Sequence, residues 1–364
     1  MFLFDAKTAT NDSIQTVAPS NKIESEEITE WTYKTYDDYF TDLNISKETF
    51  TAVDYSGTGS KADPYVVRNL KGFLYLMSQT ITSKYIRLDT DIYLNDEIFD
   101  SEGKPSGGDG VVYSWGEPKG VINIVLDGNG HSIHGMYLND ITRKRVSLLG
   151  YQGGSRIATI RNLDMRNIYM HGLNNLSAFA YSVSNIENCN TYGTIKAEEG
   201  GCCGFTEVGY NIKNCNNYVN IIQKLSNLGG IFGQSAGGVI ENCNNYGNLT
   251  SLEKGFMGGL LFRALTKDIT IKDCTNYGKL YSGGNYCGGL IGVVYYYANQ
   301  LIIENCKSYG DMISNGQYCG GLIGLAEGHI LVSNCSSIVL LVLQKDIRAV
   351  CLVLYGINIS IMQV

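Results

Sequence analysis

The chain has 364 residues, a net charge of −7 and only 17% charged residues, with 43 glycines, 26 tyrosines and 11 cysteines against 4 prolines. The aliphatic content is enough for a real core and excludes a wholly disordered polypeptide, and the lack of clustered Lys and Arg argues against a nucleic-acid partner. The most apolar run, 338–343, is cut by Gln344, Lys345, Asp346 and Arg348, far short of the roughly 20 residues that a membrane helix needs.

Residues 1–52 read as a flexible, acidic N-terminal arm. Its first residues, MFLFDAKTATNDS, carry no basic leader; the first thirty or so read as flexible, and the aromatic part at 30–44 is a candidate for docking on the fold. Residues 53–120 read as an N-terminal cap. The turn-forming stretch YSGTGSKADPYV at 55–66 opens it. In the segment 68–81, Leu70, Phe73, Leu74, Met77 and Ile81 recur at helical spacing and predict an amphipathic helix that closes the open end of the fold. YIRLDTDIYL at 85–94 alternates like a strand, and 121–138 reads as two strands around a Gly-Asn-Gly turn.

Residues 121–337 are repetitive. The phrase I-x-N-C recurs at Cys189, Cys215, Cys243, Cys274 (as IKDC), Cys306 and, more loosely, Cys335, with Leu163 in the same frame one step earlier. The intervals between those cysteines are 26, 28, 31, 32 and 29 residues. A second phrase, x-G-G-[LI]-[ILF]-G, interleaves with it and is led by Leu176, Cys202, Leu228, Met257, Cys287 and Cys319, its first two copies being degenerate. Repeats of this length mean a solenoid or an array. Glycine pairs and NYG turns break every candidate helix, and the unit is shorter than a propeller blade. The expected fold is therefore all-β, a single-stranded right-handed parallel β-helix. About eight coils at about 4.8 Å each give a rod of roughly 40 Å. Residues 338–364 are an atypical tail without the repeat's glycines, read as a capping segment or an altered reading frame.

Both cysteine columns exchange Cys with Leu or Met, which neither bind zinc as thiolates nor form disulfides. They are read as core stacks of small apolar side chains. The total of 11 is odd, and none of the four histidines lies beside a cysteine, so no metal ligands and no cofactor are expected. Tyr192, Tyr218, Tyr246, Tyr277 and Tyr309 form a further column whose place Ile338 takes in the last coil, which favours packing over recognition. The Asn before each cysteine is expected to form a side-chain ladder that bonds the turn backbone and to tolerate a left-handed conformation.

The distance from the first column to the second is 13 residues in every coil but one, whereas the return leg varies from 13 to 19. Solenoid insertions gather on one face, which is often the binding face. The longest return leg holds Tyr295, Tyr296 and Tyr297. These are the candidate ligand-binding residues, with a glycan or a host-surface protein as partner and covering of a neighbouring coil as their alternative role.

In wording and order, GSKADPYVV, YIRLDTDIYL, VLDGNGHSIHGMYL, IRNLDM and the repeated IENC…GGLIG resemble GLUG-motif proteins over about 53–335. These are repetitive parts of large bacterial surface proteins, some attached to immunoglobulin A-specific metallopeptidases. The resemblance implies a secreted or cell-surface β-helical stalk or adhesin-like module without catalysis of its own. Parallel β-helices also host polysaccharide lyases and hydrolases, and phage tail fibres and spikes. For catalysis, two acids should stack on adjacent coils. Asp268, Asp273 and Asp311 are scattered across the frame, and Asp127 sits in a turn. His131, His134, His171 and His329 make no HExxH, and no Lys-Ser/Thr follows GGLIG to make a phosphate loop. No catalytic residue is assigned.

Overall fold

The computed structural model describes residues 28, 30–45, 51–116, 118, 121–151, 157–235, 237–265, 268–295, 300–315, 318–327 and 329–337, and the backbone of 341–343 and 359–361. Short strands stack in parallel into a β-solenoid of about seven turns, one fewer than the spacing suggested. The count follows the seven first-column positions, Leu163 to Cys335.

Three sheets run along the stack, of 16, 14 and 5 strands. One coil shows the course of all. Gly238–Glu241 lies in the first sheet, Asn244–Asn245 and Leu249–Ser251 in the second, Phe256–Gly258 in the third, and Leu261–Ala264 returns to the first. The next coil repeats this in register, with Ile240 opposite Ile271, Leu249 opposite Leu280 and Met257 opposite Cys287. The variable leg falls between Leu261–Ala264 and Ile269–Lys272, and between Ile291–Val294 and Leu301–Glu304, so length changes collect at one corner.

The turn residues follow from backbone geometry. Asn162, Asn188, Asn214, Asn242, Asp273, Asn305 and Asn334 all have φ between 51° and 55°, a left-handed conformation that Asn and Asp adopt at least cost after glycine. Their side chains bond along the stack: Asn188 Nδ2 donates to Asn162 Oδ1 (3.0 Å), Asn214 to Asn188 (3.0 Å), Asn242 to Asn214 (2.9 Å) and Asn305 to Asp273 (3.1 Å). The ladder runs from side chain to side chain between coils. Glycine in the NYG turns has another cause. A Cβ on Gly247, Gly278 or Gly310 would lie 1.8–2.0 Å from a carbonyl oxygen of the preceding coil.

At the N-terminal end, Tyr55–Ser56 pairs antiparallel with Tyr65–Val67, which pairs with Tyr85–Leu88. The predicted helix forms over Leu70–Ser78, shorter at both ends than 68–81. Asn69 caps it by accepting from Gly72 N, and Phe73, Leu74, Leu76 and Met77 are buried in the same core as the coils. Residues 30–45, assigned from sequence to the arm, contain the strand Thr32–Lys34, parallel to Val111–Tyr113, and the helix Tyr36–Asp42. Tyr39 is buried there, stacked at 4.2 Å on Tyr113.

Candidate functional site

Every residue of the two columns is in the core. The first column (Leu163, Cys189, Cys215, Cys243, Cys274, Cys306, Cys335) is at most 5% exposed, and the second (Leu176, Cys202, Leu228, Met257, Cys287, Cys319) is fully buried. The ten described cysteines are all free. Each first-column thiol sits behind the asparagine corner against the carbonyl two residues before it, as in Cys215 Sγ to Lys213 O (3.0 Å) and Cys306 Sγ to Glu304 O (3.1 Å). A short side chain with a weak donor suits that place. Burial pushes the Cys202, Cys203, Cys274 and Cys287 thiols well above the usual range, so they stay protonated and unreactive. Among the described residues no group of three or more His, Cys, Asp or Glu is placed to hold a metal ion.

On the outside of the second sheet lies a continuous π-stack. Tyr192, Tyr218, Tyr246 and Tyr277 stack at centroid distances of 4.7, 4.7 and 4.8 Å with planes within 4°, and Tyr309 continues the row at 5.5 Å. Toward the N-terminus Arg166 lies over Tyr192 (4.7 Å), His134 is in register with Arg166, and Tyr93 stacks on His134 (4.5 Å). Burial lowers the His134 pKa, so near neutral pH the ring is uncharged and does not repel Arg166. Neighbouring rings cover the ring faces, while the edges reach solvent: Tyr218, Tyr246, Tyr277 and Tyr309 are 38–44% exposed. A row of carboxamides flanks them, with Asn190 Nδ2 donating to Asp164 (2.7 Å), Asn216 to Asn190 (2.9 Å) and Asn244 to Asn216 (2.9 Å). Exposed Tyr281 and Ile313 lie four residues along from Tyr277 and Tyr309.

The outside of the first sheet carries an alternating charge ladder. Arg87, Asp127, Arg161, Glu187, Lys213, Glu241, Lys272 and Glu304 are in register, one per coil. Arg161 bonds Asp127 (2.8 Å), and Glu241 lies between Lys213 (3.0 Å) and Lys272 (2.6 Å). Its lysine neighbours hold the Glu241 carboxyl below the ordinary range. Within this ladder no two acids are adjacent, so it offers no catalytic pair. The signal was present in sequence as the x of I-x-N-C, which reads E, K, E, K, E from Cys189 to Cys306.

Of the three candidate tyrosines, Tyr296 and Tyr297 lie outside the described residues. Tyr295 is half-buried, with its ring edge-on to Phe256 at 6.4 Å. Asp127 is held by Arg161, Asn162 Nδ2 (3.0 Å) and Asn129 N (2.9 Å). These bonds outweigh its burial and keep its pKa low. His131 faces Asp91 at 3.4 Å, and His171 bonds Glu198 at 2.8 Å. Asp54, Glu97 and Glu207 are buried acids that the sequence reading did not single out, and Glu207 is the one set among the coils of the repeat. Glu207 is 3% exposed, with Gln234 Nε2 at 3.4 Å and Cys203 Sγ at 3.8 Å, and burial lifts its pKa to about 7.

No helix among the described residues is long and apolar enough to cross a membrane. No family model matches the chain, and none of the curated proteins does. Among solved structures it is similar to a "putative immunoglobulin A1 protease" from Bacteroides ovatus. The TM-score is 0.53 at 21% identity, covering 75% of this chain and 86% of that one. At that identity the likeness is one of fold.

Proposed function

We propose that the chain is a non-catalytic, extracellular β-solenoid module of a cell surface, adhesin-like, that binds a glycan or a host-surface protein along its flank. The exposed stack from Tyr93 to Tyr309 carries this reading. It presents phenol edges and carboxamides one coil apart, a regular row of donors and acceptors that suits a hydroxyl-rich chain or a protein surface. The resemblance to GLUG-motif surface proteins and the fold shared with the Bacteroides ovatus protein support the same setting. Tyr295, Tyr296 and Tyr297 on the longest return leg are a second contact in this proposal.

The test is a glycan and extracellular-matrix array probed with the full chain and two variants. One carries Tyr218→Ser, Tyr246→Ser and Tyr277→Ser; the other carries Tyr295→Ser, Tyr296→Ser and Tyr297→Ser. Binding by the full chain that the first variant loses while keeping its β-sheet circular dichroism supports the flank. Loss confined to the second moves recognition to the return leg. No binding by any of the three leaves a spacer and overturns the adhesin reading.

A further inference from the structure

A second place on the rod is built differently. Where the cap meets the first coils, the loop 57–64 borders a groove of about 510 Å³ on the first sheet, lined among others by Lys61, Tyr85, Arg87, Asp127, Thr159 and Arg161. The loop is tied to the sheet. Tyr85 N donates to Gly59 O (3.0 Å) and Lys84 Nζ to Thr58 O (3.0 Å), while Gly57 and Gly59 take φ of +92° and +74°. The groove's volume is within the range of small-ligand sites.

Its charge is one-sided. Three cations, Lys61, Arg87 and Arg161, face a single acid, Asp127, and that acid's two oxygens are already bonded to Arg161, Asn162 and the Asn129 amide. Lys61 is exposed and has no ion-pair partner among the described residues. Among the described residues Arg87 reaches only Asp89, at 3.8 Å, and its buried Nε has no hydrogen-bond partner there. Arg87 and Arg161 stand two coils apart, about 10 Å, with the half-buried row of Tyr85, Val125 and Thr159 beside them. Two guanidinium groups at that interval match two anionic groups on one chain, and each can take a carboxylate or sulfate through its two terminal N–H groups, since Arg161 Nε is held by Asp127 and Arg87 Nε is buried. The aromatic, aliphatic and hydroxyl row suits the faces and hydroxyls of sugar rings.

We infer that this groove binds an acidic oligosaccharide, with its carboxylate or sulfate groups on Arg87, Arg161 and Lys61. The inference uses a different surface from the flank and stands or falls independently of it.

Titration calorimetry on the full chain tests it with trigalacturonic acid, a sulfated heparin trisaccharide and maltotriose as probes. The expected result is binding of at least one acidic probe and none of maltotriose. Arg87→Gln should weaken that binding at least tenfold, Lys61→Gln several-fold, and raised salt should weaken it further. Lys61 lies on the exposed loop, so its variant reads the groove without disturbing the core. Which acidic probe binds assigns the anion. Silence from both acidic probes, equal affinity for maltotriose, or unchanged affinity in Lys61→Gln and Arg87→Gln would each overturn the inference.

Discussion

Glu207→Gln should make the protein more stable, and more so as pH rises. Glu207 is buried beside Cys203 and Gln234, in a place that the next coil gives to Gly233, and burial raises its pKa from 4.5 to about 7. Below about pH 4.5 the carboxyl is neutral in both folded and unfolded chains and costs nothing. Between pH 4.5 and 7 the unfolded chain ionises it while the folded chain resists, so stability falls as pH rises through this window and the full cost stands above it. At about 1.4 kcal/mol per pH unit, the cost is about 3 kcal/mol at pH 8 and about 1 kcal/mol at pH 5. Gln keeps the shape and one acceptor oxygen, exchanges the other, which takes the weak Cys203 thiol contact, for an amide, and removes the charge. Guanidinium denaturation of wild type and variant at both pH values isolates this group, because the remaining carboxylates cancel in the difference. A variant no more stable than wild type at pH 8, or a gap equal at pH 5 and pH 8, would refute the reasoning.

Asn214→Ala leaves a residue with a Cβ but no carboxamide at a φ of 55° and removes both ladder bonds. The expected loss is about 2 kcal/mol in urea melts, with Asn214→Gly losing less because only the side-chain bonds go. Tyr246→Ser removes two stacked contacts, of 4.7 and 4.8 Å. It should cost about 1–2 kcal/mol and weaken the near-ultraviolet circular dichroism of the ordered rings. Glu241→Lys sets three lysines in a row on the first sheet. The melting temperature should fall, and 1 M salt should recover most of the loss, whereas Glu241→Gln should show little salt dependence. Finally, maleimide pulses followed by mass spectrometry should leave the ten described cysteines unlabelled in the folded chain and label them in guanidinium. Rapid labelling of Cys243 or Cys274 in buffer would contradict the buried columns.

The fold was legible because each coil states the same structural need at the same place. An αL corner asks for Asn, the space behind it for a thiol or Leu, and a close backbone approach for Gly, so the exchange of Cys with Leu and Met pointed to the buried columns. The aromatic stack was only half legible. Its NYG members repeat, but Arg166 and His134 belong to coils with other wording, and Arg166 reaches Tyr192 beside an irregularity of register between Met165 and Ile168 that the sequence does not mark. The charge ladder was hidden in the position of I-x-N-C that does not stay constant. Glu207 lies in the degenerate phrase CCGFTE, where no frame marked it as different. The groove could not be read at all, because it exists only when loop 57–64 folds beside residues 20 to 100 positions further on.

The ladder of alternating charge has a consequence for how such a rod changes length. Excising the coil that carries Lys213 would set Glu187 against Glu241, and duplicating it would set lysine against lysine. Removing or adding two consecutive coils preserves the order of signs. Gain or loss of a single coil therefore sets two like charges side by side at the junction, whereas gain or loss of a pair leaves every contact of opposite sign.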